Sequence, residues 1–174
     1  MFESAPLRTS ASWANKLAAM TRKRLLDVAY MLQKSMWRLA RPRTRGVKVM
    51  LFNADGELAL IRNSYGHSDI FVLPGGGIGL FEQPAVAARR EIREELGVET
   101  EELVLRSRHS STAEGKRDEI HLFEARVRGT LNIDRVEIAE ARFASLADLP
   151  QSTSPATRRR IDEFLGLREA DGSW

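Results

Sequence analysis

At 174 residues the chain is sized for one domain with a short appendage, long enough to bury a substantial core. It has no cysteine, which excludes disulfides, thiolate zinc and a thiol nucleophile, and no run of 18 apolar residues, which excludes a spanning helix. The net charge of +3 is uneven: residues 1–45 carry ten Arg/Lys against Glu3 and Asp27, a net +8, and residues 46–174 carry seventeen against twenty-two acids, a net −5.

Residues 1–12 show no periodicity. Residues 13–40 then repeat Leu17, Met20, Leu25, Val28, Leu32, Met36 and Leu39 at helical spacing, and Pro42 ends the pattern. The opposite face bears Arg22, Lys23, Lys34, Arg38 and Arg41, with Trp13 and Trp37 near the two ends. Such a basic amphipathic helix is expected to bury its stripe on the acidic domain or across a homodimer. Peripheral contact of residues 13–41 with an anionic membrane is the less favoured use. No secretory leader is read in the first residues, so the cytoplasm is the expected location.

Residues 46–52 alternate and are rich in strand formers, Asn53-Ala54-Asp55-Gly56 is a turn, and residues 57–62 return, which predicts a β-hairpin. Residues 63–69 form a polar loop and residues 70–73 a short strand. A glycine run follows Leu73-Pro74 and feeds a helix that starts at Gln83-Pro84, is expected to turn Ala85, Ala87, Ala88, Ile92 and Leu96 inward, and stops at Gly97. Further strands are expected over residues 103–109, 118–127 and 141–144. Ser154-Pro155 opens a last helix through Leu165. The expected plan is a helical extension over residues 1–44, a catalytic domain over 45–168 and a tail over 169–174.

The stretch at residues 76–98 carries the chemistry. Glu91, Glu94 and Glu95 stand at i, i+3 and i+4 and share one helical face, where like charges repel. Such a cluster needs a cation or a wide solvated face; Arg90–Glu94 pairing would serve a merely solvated one. Oxygen-only ligands favour a hard ion, and Mg²⁺ combines a few carboxylates with water and substrate phosphates. The full spacing is Gly76, five residues, Glu82, seven residues, Arg90-Glu91, an aliphatic, any residue, Glu94-Glu95, any residue, Gly97, an aliphatic. This resembles the complete Nudix box.

The resemblance implies an α/β fold, the Nudix α/β/α sandwich with a mixed central sheet, to which the N-terminal amphipathic helix is an addition. It implies a hydrolase that cuts the diphosphate linkage of a nucleoside diphosphate derivative or nucleotide, with Mg²⁺ or Mn²⁺. By motif position Glu91, Glu94 and Glu95 are the implied metal ligands, Arg90 and Glu82 the pair that orients them, and Gly75 and Gly76 the points where backbone approaches metal or phosphate. One departure lies inside the box: Phe81 stands where the family commonly has a turn glycine, and its ring needs cover.

By its motif position Glu91 is also the implied base; outside the box, Glu119, Glu137 and Glu140 are later carboxylates that could replace it or add a ligand. Arg62, Tyr65, His67, Phe71 and His109 are candidate contacts to a base or phosphate. His121 reads as a packed or edge histidine, and Arg158-Arg159-Arg160 as a solvated helix face. A non-catalytic nucleotide-binding module has no need of the full carboxylate set. An RNA-directed pyrophosphohydrolase is suggested by the basic arm, but that arm lacks stacking platforms, so nucleic acid is not an expected partner.

Overall fold

The computed structural model describes residues 43–65, 69–112, 117–133 and 137–174. The expected N-terminal helix, with Trp13, Trp37 and the interface or membrane contact proposed for it, lies outside the described residues, as does His67. Strands β1 (Arg43–Phe52) and β2 (Leu58–Asn63) form the expected hairpin around Asn53, whose Oδ1 accepts from the Asp55 and Glu57 amides at 3.0 and 2.8 Å. Helix α1 (Pro84–Leu96) follows, then β3 (Leu103–Ser111), β4 (Arg117–Arg126), β5 (Ile138–Ala144) and helix α2 (Pro155–Phe164).

These strands make a mixed sheet in the order β3-β4-β1-β2-β5, in which β1 runs parallel to β4 and the other neighbours are antiparallel. Alternation along the strands divides the core in two. Val47, Val49 and Leu51 of β1, with Ala59, Ile61, Phe123 and Ala125, meet Ala87, Ala88, Ile92 and Leu96 of α1. Met50, Phe52, Leu58, Leu60 and Leu122 face the other way, toward Ile161 of α2. One helix therefore covers each face, the α/β/α arrangement that the resemblance implies.

Proline and capping set where the helices begin. Pro84 and Pro155 occupy first turns, where no amide partner is missed. Ser154 accepts from the Thr157 amide at 3.1 Å, and the Gly97 amide closes α1 on Arg93 O at 3.0 Å. No helix among the described residues is long and apolar enough to cross a membrane.

Four expectations need correction. Ala85, expected on the inner face of α1, is exposed in its first turn. Residues 70–73 form isolated bridges rather than a strand, Val72 to Ile61 and Phe71 to Thr153, because the chain must turn at once into the glycine loop. β5 begins at Ile138, earlier than the expected 141; as an edge strand it tolerates charge, and Glu140 is neutralised by Arg62 on β2 at 2.8 Å. Arg160 is no part of a solvated face. Its side chain is wholly buried, bonded to His109 Nδ1 at 2.5 Å, Glu163 Oε1 at 2.6 Å and the Ser173 carbonyl.

That burial is completed by residues 169–174, the expected tail. Gly172 O accepts from the Ser110 amide at 2.8 Å and Ser110 O from the Trp174 amide at 2.9 Å, so the segment runs beside β3. The Trp174 ring lies edge-on to His109 at 5.7 Å, with the Arg160 guanidinium 5.5 Å from its centroid.

Candidate active site

β1 and β2 pair only at Phe52 and Leu58, and then diverge. The glycine loop enters this fork. Its first arm exchanges two hydrogen bonds with β2, Ile61 N to Val72 O at 3.0 Å and Val72 N to Ile61 O at 2.9 Å. Its second arm pairs with β1: Val49 N to Pro74 O at 3.0 Å, Val47 N to Gly76 O at 2.9 Å and Ile78 N to Arg45 O at 2.9 Å. The loop is thus fixed by the sheet on both sides, a rigid seat for the residues that α1 presents to it.

Only glycine fits at its centre. Gly75 has φ +122°, and a Cβ there would stand 2.4 Å from Val47 O. At Gly76 a Cβ would fall 2.7 Å from all three carboxyl atoms of Glu91, so that carboxylate lies directly against the backbone. The Gly75 amide donates to Glu95 Oε2 at 2.7 Å. Lys48 reaches the same place from β1, donating from Nζ to Leu73 O at 2.9 Å and Gly75 O at 2.6 Å.

Arg90 organises the remaining acids. Its guanidinium grips Glu82 with two bonds, Nε to Oε1 at 2.9 Å and Nη2 to Oε2 at 3.0 Å. Nη1 donates to Glu91 at 2.7 Å and to Glu94 at 3.0 Å, and Nη2 to Gly77 O at 2.9 Å. Glu82 in turn accepts from the Gly79 amide at 2.7 Å, and the Arg90 bonds with this one lower its pKa to about 2. The carboxylates hold the Arg90 proton more firmly still.

Glu95 behaves oppositely. Burial, with Glu91 and Glu137 adding, raises its pKa to about 7 against the pull of Lys48 and the Gly75 amide. Tyr65 is raised as well, by burial first and then by Glu137, Glu95 and Glu91. Glu91, Glu95, Glu137 and Tyr65 therefore share one electrostatic environment, whereas Glu94 stands at its exposed rim. Among the described residues no three acidic or histidine side chains converge closely enough to hold an ion as they stand, since Arg90 draws Glu91 and Glu94 aside and Gly75 ties Glu95.

Of the three later carboxylates, Glu137 is the one brought to this environment. Glu140 is paired to Arg62, and Glu119 Oε1 sits 2.8 Å from His121 Nε2. The other expected contacts divide likewise. Tyr65 is at the site. Phe71 is buried in the core on the α2 side, with the Arg142 and Arg62 guanidiniums 5.0 and 6.0 Å from its ring, and is not available to a substrate. His109 is buried under α2, where burial and Arg160 lower its pKa, and is likewise no part of the site. His121 is packed, as expected. Lys48 was missed; its signal was a lone cation at an alternating position in the apolar run Val47-Lys48-Val49.

Comparison with known proteins agrees with the fold. The model of the NUDIX domain matches residues 42–164. The structure resembles the MutT NUDIX hydrolase from Burkholderia pseudomallei, with a TM-score of 0.63 and 26% identity over 69% of this chain and 96% of that one. The MutT protein from Methanosarcina mazei Go1 shares the fold, with a TM-score of 0.62 and 21% identity over 73% and 95%. An RNA pyrophosphohydrolase from Gluconobacter oxydans (strain 621H) is 41% identical over 58 residues, 33% of this chain, and the match spans about a third of that relative's length (34%).

Proposed function

The chain belongs to the Nudix family, and from that premise we propose that it is a Mg²⁺- or Mn²⁺-dependent pyrophosphohydrolase that cuts the diphosphate linkage of a nucleoside diphosphate derivative or nucleotide. The observation that carries the reading is the single guanidinium of Arg90 holding Glu82, Glu91 and Glu94 while Glu95 closes on the Gly75 amide. A solvated face would need only the Arg90–Glu94 pair. A non-catalytic binder would need neither the bidentate Glu82 contact nor a Glu95 tied to the Gly75 amide.

The donor set suits a hard divalent ion, since every side-chain donor is a carboxylate oxygen. Glu91, Glu94 and Glu95 would hold it. Glu95, half-buried and resistant to ionisation without a cation, fits such a position. A divalent ion held there would supply charge neutralisation to the phosphate oxygens in the transition state. The chain's own residues do the rest. Gly75 and Gly76 let phosphate approach the backbone, and Arg90 and Glu82 fix the carboxylates in place. Water attacks phosphorus, its proton passes to Glu91, and the bridging P–O bond breaks to release the phosphate product. Glu137, beside Glu95, is the next carboxylate able to take that proton.

The matched RNA pyrophosphohydrolase favours a second reading in which the diphosphate is at the 5′ end of an RNA. Both readings use the same site. Glu94→Gln and Glu95→Gln should each lower turnover at least about a hundredfold with the fold intact, because lost transition-state charge stabilisation is worth several kcal/mol. Near-normal turnover of either variant at saturating Mg²⁺ would overturn the assignment. Assays on nucleoside diphosphate sugars, nucleoside triphosphates, dinucleoside polyphosphates and 5′-triphosphorylated RNA separate the two readings.

A further inference from the structure

Beside the glycine loop the sheet carries an unexplained concentration of arginine. The parallel register of β1 and β4 sets Arg43 beside Arg117 and Arg45 beside Glu119. Because Val47 and Val49 face α1, Arg43 and Arg45 at the same parity leave the strand on α1's side of the sheet. With Ser110, Thr112 and Glu119 they line an open cleft of about 490 Å³.

The cleft adjoins the site. Arg45 O accepts the Ile78 amide, and two residues of strand, roughly 7 Å, separate Arg45 from Val47, whose amide holds Gly76. Among the described residues Arg43, Arg45 and Arg117 make no ion pair and are exposed. Two acids also line the cleft: Asp118 accepts from Thr44 Oγ1 at 2.8 Å, and Glu119 Oε1 lies 2.8 Å from His121 Nε2, so three guanidiniums face two carboxylates. Like charges on neighbouring strands work against the sheet, so Arg43 beside Arg117 is a cost without a structural return. A phosphate, which guanidinium binds through paired N–H donors, would remove it.

We infer that this cleft is a second anion subsite, which takes a phosphate group of the substrate lying beyond the diphosphate bond that is cut. The inference rests on the pyrophosphohydrolase reading and narrows it to substrates with a further phosphate. That phosphate comes either from a polyphosphate chain or from the first phosphodiester of an oligonucleotide.

The test uses the full chain and the Arg45→Gln/Arg117→Gln double variant. Three substrates are compared with Mg²⁺: a nucleoside diphosphate sugar, a nucleoside triphosphate and a 5′-triphosphorylated oligoribonucleotide. The expected result is a KM at least tenfold higher for one or both of the last two, with kcat within twofold and the sugar substrate unaffected. A change confined to the oligoribonucleotide identifies the phosphodiester; a change in both identifies the polyphosphate chain. KM values that move equally for all three substrates, or for none, overturn the inference. Calorimetric titration with inorganic triphosphate in chelator separates this outcome from failure of the parent reading. If no substrate is turned over but the variant binds triphosphate at least tenfold more weakly, the cleft stands and the activity falls. Equal binding by both proteins, where no substrate is turned over, overturns the cleft.

Discussion

Phe81 holds φ at +82° while its ring is 95% exposed, so it bears the strain of a left-handed conformation without the return of a packed side chain. Such strain costs about 1–3 kcal/mol, and glycine's greater freedom in the unfolded chain gives back part of that. Phe81→Gly is therefore expected to stabilise the protein by about 1 kcal/mol, read as a higher Tm. Gly75→Ala has the opposite sign. Its Cβ would meet Val47 O at 2.4 Å in a conformation that alanine avoids, a loss of about 2–5 kcal/mol measurable by urea unfolding. The Phe81 position was marked by the resemblance, since the family commonly has a turn glycine there, but the expected cover for its ring is not found: the ring stands in solvent. The roles of Lys48 and Arg160 were not legible in the sequence. Their partners, the carbonyls of Leu73 and Gly75 and the groups of His109 and Ser173, are distant in sequence, and an arginine run gives no sign of which member turns inward.

At the scale of elements, α1 separates structure from chemistry by face. Ile92 is fully buried against the sheet, so Ile92→Ala should cost about 2–4 kcal/mol of stability. Val86, 56% exposed on the same helix, should change by less than about 0.5 kcal/mol when cut to alanine. A matched pair of denaturation curves checks both. The helices and the hairpin were legible because periodicity, prolines and the Asn53 turn agreed with one another. Residues 70–73 were less so. Their pairing with β2 and with residues 152–154 depends on a fork in the sheet that no local pattern announces.

Over the whole molecule two groups, the buried His109 and the half-buried Glu95, give stability opposite dependences on pH. Burial, then Arg160, holds His109 below its ordinary 6.5. The unfolded chain takes up that proton first, so this contribution is complete above about pH 6.5 and is lost as pH falls toward the depressed native value. Glu95 is raised from 4.5 to about 7, so in the metal-free protein its contribution is present below pH 4.5 and is lost as pH rises through about 7. Glu95→Gln in chelator should then be more stable than the parent at pH 8, on the order of 2–3 kcal/mol, with the difference vanishing near pH 4.5. Urea midpoints across that range would show it; a difference independent of pH would contradict it.

The forked sheet leaves alternate amides of one strand answering to different partners. Val47 and Val49 donate to the glycine loop, as Ile61 does from β2, while Lys48 and Met50 between them face β4. Peeling the loop away would expose the first three amides to solvent deuterium and leave the other two protected. Exchange at Val47, Val49 and Ile61 should therefore proceed with one common opening free energy, smaller than that of their immediate neighbours. A ligand gripped by the loop would slow those three together, so that residues in the middle of the core report the opening and closing of the site above them.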